Sequence, residues 1–246
     1  MNPALIGLPA TAALAAAAAY GAVYPRSQVF GATIRRTSSP RKLAITFDDG
    51  PNPAVTPKLL DLLDRHDAKA TFFMIGRFVR ESPGLAREVQ SRGHLVANHT
   101  QTHPNLFWMG PAAVRRELQQ CQDALQEVLG ALAEYFRPPY GIRNPWVVGT
   151  ARDLGMKTVM WTRIPGDWMG KPANWLAERM QPIAENAEGA ENRTTGDILC
   201  LHDGGHRELN ADRHATVEAL EHWLPRWRDL GLKFVTIAQA VNTPAH

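Results

Sequence analysis

Two adjacent carboxylates are the clearest candidates for chemistry in this sequence. Asp48 and Asp49 follow a short apolar run and precede Gly50-Pro51. Neighbouring carboxylates repel each other unless a cation is present, so a divalent metal that binds one of them would leave the other available as a base. Taken alone, the same residues also fit an Asp-Asp-Gly turn on the surface.

A pair of histidines supplies further candidate metal ligands. His99 and His103 are four positions apart, and at this spacing two imidazoles on a helical segment face the same way and can share one ion. Surface histidines at this spacing are also common. Together with Asp48-Asp49 they form a set of two histidines and one carboxylate, which leaves metal positions open for water and substrate.

Three further polar clusters follow apolar runs and could complete a hydrolytic site. Arg137 and Tyr140 flank two prolines, whose rigid backbone would hold the guanidinium against a carboxylate and present the Tyr140 amide at a fixed place. This segment also fits a loop with a core tyrosine. Asp167 and Trp168 follow another run. His202 ends a later run, and because other runs also end in candidate chemistry, we interpret it as a catalytic acid rather than a core histidine.

A sheet whose strands alternate with helices must position these clusters. Apolar runs predict seven strands, at residues 42–47, 70–75, 95–97, 135–137, 158–161, 198–201 and 234–236. Helical patterns predict six helices, at residues 55–65, 83–91, 112–129, 145–154, 173–186 and 213–229. This alternation predicts an α/β fold with a parallel sheet, closed or nearly closed into a barrel. Chemistry in such barrels gathers at the carboxyl ends of the strands.

Composition excludes several classes of protein. Of the 246 residues, 44% are hydrophobic and 21% are charged, which is enough for a packed core and argues against a largely disordered chain. The net charge is +3 without a basic cluster, so we expect no nucleic-acid partner. Cys121 and Cys200 are too few for a disulfide framework or a four-cysteine zinc site. No feature predicts an obligate protein partner.

The first 25 residues differ from the rest of the chain. Residues 1–25 carry no charged side chain, and Pro3–Tyr24 is long enough to cross ~30 Å of hydrocarbon as a helix. We predict an apolar transmembrane helix here, with a cleaved signal peptide or an alanine-rich helix packed on the domain as alternatives. We further predict a linker at residues 26–41 and a catalytic domain at residues 42–246. The protein would then be membrane-anchored or exported to the cell envelope. The sequence does not predict which side of the membrane the catalytic domain faces.

Taken together, the motifs resemble those of the NodB-homology polysaccharide deacetylases, also called carbohydrate esterase family 4. That family carries, in order, a TFDDGP segment, an H-[ST]-x-x-H segment, an R-x-P-Y segment, a DW segment and an L-x-L-H segment. Their counterparts in this chain are Thr46–Pro51, His99–His103, Arg137–Tyr140, Asp167–Trp168 and Leu199–His202. The resemblance covers roughly residues 40–240 and implies a distorted (β/α)7 barrel.

The resemblance implies a metal-dependent hydrolase that removes N-acetyl groups from amino sugars. Asp49, His99 and His103 would bind a divalent metal, most often zinc, with cobalt, nickel or iron as alternatives. Asp48 would act as general base on a water molecule. Arg137 would pair with Asp48 and hold it ionised.

The remaining site residues receive roles from the same resemblance. His202 would protonate the leaving amine, and Asp167 would pair with His202 and favour its imidazolium form. The Tyr140 amide would help to hold the oxyanion. Leu199 and Trp168 would wall a small apolar pocket for the acetyl methyl group.

Three functions are compatible with the sequence. The first is deacetylation of a glycan such as peptidoglycan, a chitin-like polymer or another polymer that contains N-acetylglucosamine. The second keeps the chemistry but acts as a deacetylase or deformylase on a lipid-linked amino sugar at the membrane. The third, of another class, is a glycan-binding module without activity, and the intact set of candidate catalytic residues argues against it.

Overall fold

A computed structural model describes residue 13 and residues 16–241 of the chain. Its seven strands are β1 Lys42–Gly50, β2 Ala70–Met74, β3 Leu95–Asn98, β4 Tyr135–Phe136, β5 Lys157–Thr158, β6 Ile198–His202 and β7 Lys233–Phe234. The α-helices that follow residue 50 are α1 Thr56–Arg65, α2 Gly76–Glu81, α3 Pro83–Ser91, α4 Pro111–Leu129, α5 Pro145–Asp153, α6 Ala173–Glu188, α7 His214–Asp229 and α8 Ile237–Val241. Strands and helices alternate through most of the chain, as the sequence predicts.

All strand pairs are parallel, and the sheet curls without closing into a complete barrel. Its order is β5-β4-β3-β2-β1-β6, and β7 pairs with the first residues of β1. Arg163 follows β5 in the chain but is not part of that strand. It forms an isolated bridge with Leu199 of β6, and the two ends of the path meet at this bridge. The molecule is therefore a curled half-barrel, which confirms the expected α/β fold with a parallel sheet and corrects only the expectation of full closure.

The central strand β1 is buried on both faces. Leu43, Ile45 and Phe47 pack with α1, α6 and α7 in the larger apolar core, whereas Ala44 packs on the opposite side of the strand with Cys200. A strand covered on both faces is typical of a parallel sheet with crossover helices. This burial anchors the strand whose carboxyl end carries Asp48 and Asp49.

The described residues of the N-terminal segment contain no transmembrane helix of the kind that the sequence predicts. Residues 1–12, 14 and 15 lie outside the described part of the chain, and so does much of the segment 1–25. Among the described residues, no helix combines the length and apolar character needed to cross a membrane. Residues 16–23 are helical, and the helix ends before Pro25.

The end of this helix instead packs on the domain. Ala22 is buried, and its carbonyl oxygen accepts a hydrogen bond of 3.0 Å from the backbone N–H of Arg143. Within residue 13 and residues 16–241, the prediction of a transmembrane helix is therefore wrong, and the expected membrane contact has no support there.

Residues 26–41 lie along the edge of the sheet. Ile34 forms a bridge with Val159, and Thr37 forms one with Gly196. The segment expected to be a linker thus contacts both ends of the half-barrel. The division of the chain at residues 25 and 41 stays a prediction.

Gly204, in the loop after β6, offers a test of how tightly this loop packs on β1. A Cβ atom at Gly204 would lie 2.3 Å from the carbonyl oxygen of Asp49. We expect Gly204→Ala to lower the free energy of unfolding by about 1–3 kcal/mol, because backbone must move to admit the methyl group. Urea denaturation measures the effect.

Gly149→Ala in α5 is the matched control. A Cβ atom at Gly149 meets nothing within 4 Å, so this variant should be neutral or up to about 1 kcal/mol more stable than the wild type. Equal stability of the two variants would contradict the close approach of the loop to β1.

Candidate active site

The polar clusters identified from the sequence meet at the carboxyl ends of the strands. Asp48 and Asp49 lie at the end of β1, His99 follows β3, Arg137 follows β4, and His202 ends β6. A pocket of about 320 Å³ opens at this edge of the sheet. It is lined by Asp48, Asp49, His99, His103, Tyr140, Gly141, Trp161, Ile164, Trp168, Cys200, His202, His206 and Arg213.

A bulge at the end of β1 brings both carboxylates into the pocket. In a regular strand, successive side chains point to opposite faces. Here the register between β1 and β2 shifts between Asp48 and Gly50, and Asp49 has a φ of 73°. This left-handed conformation costs a non-glycine residue about 1–2 kcal/mol, and it lets the two neighbouring aspartates line one pocket.

The two histidines converge through a loop and not on a helix. The segment after β3 has no helical residue before Leu106, and Thr100 and His103 have φ values of 68° and 61°. The two imidazole rings nevertheless lie 4.9 Å apart. The expectation that a helix aligns the two histidines is therefore wrong. The loop after β3 brings them together instead.

Asp49, His99 and His103 form a compact, buried triad. The Asp49 Oδ1 atom lies 3.4 Å from His99 Nε2 and 3.1 Å from His103 Nε2. One donor atom of each residue lies within 4.8 Å of the others, a spacing that suits one metal ion. Asp49 Oδ1 is buried without a hydrogen-bond partner. Because an unpaired buried carboxylate oxygen is costly, a cation at this point would remove the penalty.

Hydrogen bonding and burial favour the protonation states that bind a metal. His99 Nδ1 lies 2.8 Å from the carbonyl oxygen of Arg137, which can only accept, so the neutral tautomer carries its proton on Nδ1 and its lone pair on Nε2. Burial lowers the pKa of His103 to about 3, so this imidazole is neutral at neutral pH. The donor set fits zinc, and also cobalt, nickel or iron.

Arg137 is fully buried and holds Asp48 beside the triad. Its Nη1 atom donates to Asp48 Oδ1 and to Thr46 Oγ1, each at 2.7 Å. The guanidinium also lies 4.1 Å from the centre of the Phe73 ring. The other carboxylate oxygen, Asp48 Oδ2, lies 3.9 Å from His99 Nε2. This oxygen faces the triad.

His202, which lines the pocket, forms a second ion pair with the buried Asp167. His202 Nδ1 lies 2.9 Å from Asp167 Oδ1, and the His202 backbone N–H donates to Asp167 Oδ2 at 2.7 Å. Thr216 Oγ1 donates to the same oxygen at 2.9 Å. Burial by itself lowers the pKa of His202, but the charge of Asp167 and its hydrogen bond outweigh burial and raise the pKa to about 9. His202 is therefore an imidazolium at neutral pH, which can act as an acid.

Two aromatic side chains stand at the opening of the pocket. Tyr140 is 51% exposed, has a φ of 59°, and its ring centre lies 4.7 Å from that of His103. Trp168 is 46% exposed, and its ring centre lies 5.1 Å from that of His202. Both residues therefore lie where a bound substrate would contact them.

Leu199 does not line the pocket, although the resemblance expects it to. It is fully buried in the core between the sheet and the helices. Alternate residues of a strand face opposite sides, so Cys200 lines the pocket instead. The alternation along β6 was the signal that could have identified Cys200.

His206 is a pocket residue that the sequence analysis missed. Its ring stacks on that of His103 at 4.5 Å, and its Nδ1 atom lies 4.0 Å from Asp49 Oδ2. His206 follows His202 at the spacing that separates His99 from His103. This repeated spacing, close to the end of a strand, could have identified His206 as a pocket residue.

The sequence of the chain is similar to those of known proteins. The polysaccharide deacetylase family model matches residues 35–159. A chitooligosaccharide deacetylase of Azorhizobium caulinodans is 34% identical over 204 residues, which covers 80% of this chain and 93% of that protein. The chain belongs to the polysaccharide deacetylase family. It is accordingly a hydrolase of the polysaccharide deacetylase class.

Solved structures extend the comparison of this deacetylase to the fold. A peptidoglycan N-acetylglucosamine deacetylase is 27% identical with a TM-score of 0.75, and the match covers 86% of this chain and 92% of that one. A carbohydrate esterase family 4 pseudoenzyme from Bacillus anthracis is 26% identical with a TM-score of 0.73, and the match covers 86% of this chain and 69% of that one. The fold is thus compatible with activity and with its loss, so the pocket residues must decide the function.

The triad predicts a specific loss of metal affinity. The deacetylase should bind about one zinc ion per chain. His103→Ala should weaken zinc binding by at least about 100-fold, because it removes one of three ligands. Competition with a chromophoric chelator measures this affinity independently of catalysis. His222→Ala, which changes an exposed histidine on α7, should bind zinc like the wild type, and equal affinity of the two variants would argue against the triad.

Proposed function

We propose that this deacetylase is a metal-dependent hydrolase of N-acetyl groups in glycans that contain N-acetylglucosamine. The observation that carries the proposal is that Asp48 lies beside the ligand triad and not within it, in the same pocket as the His202 imidazolium. A metal triad, a base and an acid in one pocket are the groups that amide hydrolysis requires. Relatives named chitooligosaccharide deacetylase and peptidoglycan N-acetylglucosamine deacetylase support the substrate class.

The first half of the reaction is addition of water to the acetyl carbonyl. A divalent metal held by Asp49, His99 and His103 would polarise this carbonyl and make a nearby water more acidic. Asp48 Oδ2 accepts the proton of the attacking water. Arg137 holds the other oxygen of Asp48, so the base keeps its orientation as it takes up the proton.

The second half is the departure of the amine. His202 donates a proton to the amide nitrogen as the carbon–nitrogen bond breaks, which leaves acetate and a free amine. Asp167 orients the imidazole for this transfer. The backbone N–H of Tyr140 donates to the oxyanion of the tetrahedral intermediate, and Trp168 packs beside the acetyl group.

Asp48→Asn tests the proposal. The zinc-loaded wild type should release acetate from chitooligosaccharides or peptidoglycan fragments. The variant should lower kcat by about 100-fold or more, because an amide cannot take up the proton, and it should still bind zinc. Acetate and bound zinc are measured on the same samples.

Asp61→Asn, an exposed change on α1, is the matched control and should keep wild-type kcat. Wild-type activity in Asp48→Asn would contradict the role of the base. If the metal-loaded wild type released no acetate from any N-acetylated glycan, the protein would instead be a glycan-binding module.

The ion pair of His202 predicts the alkaline limit of activity. Activity should fall as the pH rises through about 9, where His202 loses its proton. Asp167→Asn removes the charge that raises this pKa, while the burial that lowers it remains. The alkaline limb of the kcat–pH profile should therefore move toward or below the ordinary histidine value of about 6.5. Thr216→Val, which removes a neutral partner of Asp167, should keep the alkaline limb, and an unshifted limb in Asp167→Asn would exclude His202 as the acid.

A further inference from the structure

A second cluster of metal-ligand atoms lies in the pocket beside the triad. Asp48, Cys200 and His202 each offer one donor atom, and these atoms lie within 4.8 Å of one another. Cys200 Sγ lies 3.4 Å from Asp48 Oδ2 and 3.6 Å from Arg137 Nη1. The proposed deacetylation gives the Cys200 thiol no role, although Cys200 lines the pocket.

The donor set of this second cluster is softer than that of the triad. It combines a sulfur with an imidazole nitrogen and a carboxylate oxygen, whereas the triad offers nitrogen and oxygen alone. Sulfur ligands favour thiophilic cations such as cadmium and zinc. The two clusters therefore differ in their preference for cations, although they share one pocket.

Binding of a cation to this cluster can occur without a change in net charge. Burial and the charge of Asp48 raise the pKa of Cys200 well above its usual value, so the free thiol is neutral and donates to Asp48 Oδ2. A divalent cation would form a bond to sulfur as the S–H bond breaks, and a bond to His202 Nε2 as the imidazolium proton leaves. Two protons pass to solvent as two positive charges enter, so the Arg137 guanidinium faces the same total charge as before.

We propose that Asp48, Cys200 and His202 form an inhibitory site for a second, thiophilic divalent cation. The inhibitory character rests on the proposed function, because the cation would occupy the oxygen that accepts a proton and the nitrogen that donates one. The Asp167 hydrogen bond to His202 Nδ1 leaves Nε2 as the free ring nitrogen. Excess zinc and cadmium would thus inhibit an enzyme that needs zinc at the triad.

Cadmium provides a spectroscopic test, because a cadmium–thiolate bond absorbs in the ultraviolet and bonds to nitrogen or oxygen do not. Cadmium chloride is titrated into the zinc-loaded, full-length protein while this absorbance and acetate release are followed. Absorbance and inhibition should rise together. Cys200→Val should abolish the band and raise the half-inhibitory cadmium concentration at least about tenfold, because the sulfur ligand is lost. Cys200→Ala is measured in parallel in case the valine variant does not fold.

Cys121→Ala is the matched control. Cys121 is buried on α4, where its thiol donates to the carbonyl oxygen of Met74, and it does not line the pocket. The variant should keep both the band and the inhibition. A missing band in the wild type, or a band or inhibition that persists in the folded Cys200 variants, would overturn the second site.

The same titration separates failure of the second site from failure of the proposed function. A Cys200-dependent band in a protein that releases no acetate would support the cation site and overturn the deacetylation on which its inhibitory character rests. Acetate release without a Cys200-dependent band would support the deacetylation and overturn the second cation site.

Discussion

The buried ion pair between Arg137 and Asp48 organises the candidate active site. Both side chains are almost inaccessible to solvent, so neither charge could be left alone without a cost of about 3–5 kcal/mol. The same arginine acts through its backbone, since its carbonyl oxygen accepts from His99 Nδ1 and directs His99 Nε2 toward Asp49. One residue after β4 thus orients both the candidate base and a candidate metal ligand.

Backbone strain is concentrated around this pair. Among the described residues other than glycine, five have positive φ, and four of them lie in the site segments: Asp49, Thr100, His103 and Tyr140. Each costs roughly 1–2 kcal/mol. The strain persists because the strands that carry these segments are held by the buried core. If Asp49 adopted a regular strand conformation, its side chain would point to the face of β1 opposite to Asp48. The strained conformation at Asp49 is therefore needed to place this ligand in the pocket.

The sequence predicts where the chemistry lies better than how the backbone delivers it. The motifs that contain Asp48, His99, Arg137 and His202 stand at the ends of apolar runs, and this rule places them at the ends of β1, β3, β4 and β6. The incomplete closure of the barrel was not predictable, because β5 contains two residues and the chain then pairs with Ile34 and β6 through isolated bridges. Helices α2 and α8, of six and five residues, are too short to show a helical period. Residue type alone does not predict the bulge at Asp49. Nor does it predict that Leu199 faces the core and not the pocket.

The charges in and around the pocket explain why the triad is the preferred place for a cation. The negative charge of Asp48 is matched by Arg137, and the negative charge of Asp167 is matched by the His202 imidazolium. Asp49 is different, because burial keeps its partner His103 neutral and Asp49 Oδ1 has no hydrogen-bond donor. Among the carboxylates that line the described pocket, Asp49 is thus the one without a positive partner from the protein. The protein leaves this charge for an ion to balance, while the charges of Asp48 and Asp167 are already balanced by Arg137 and His202.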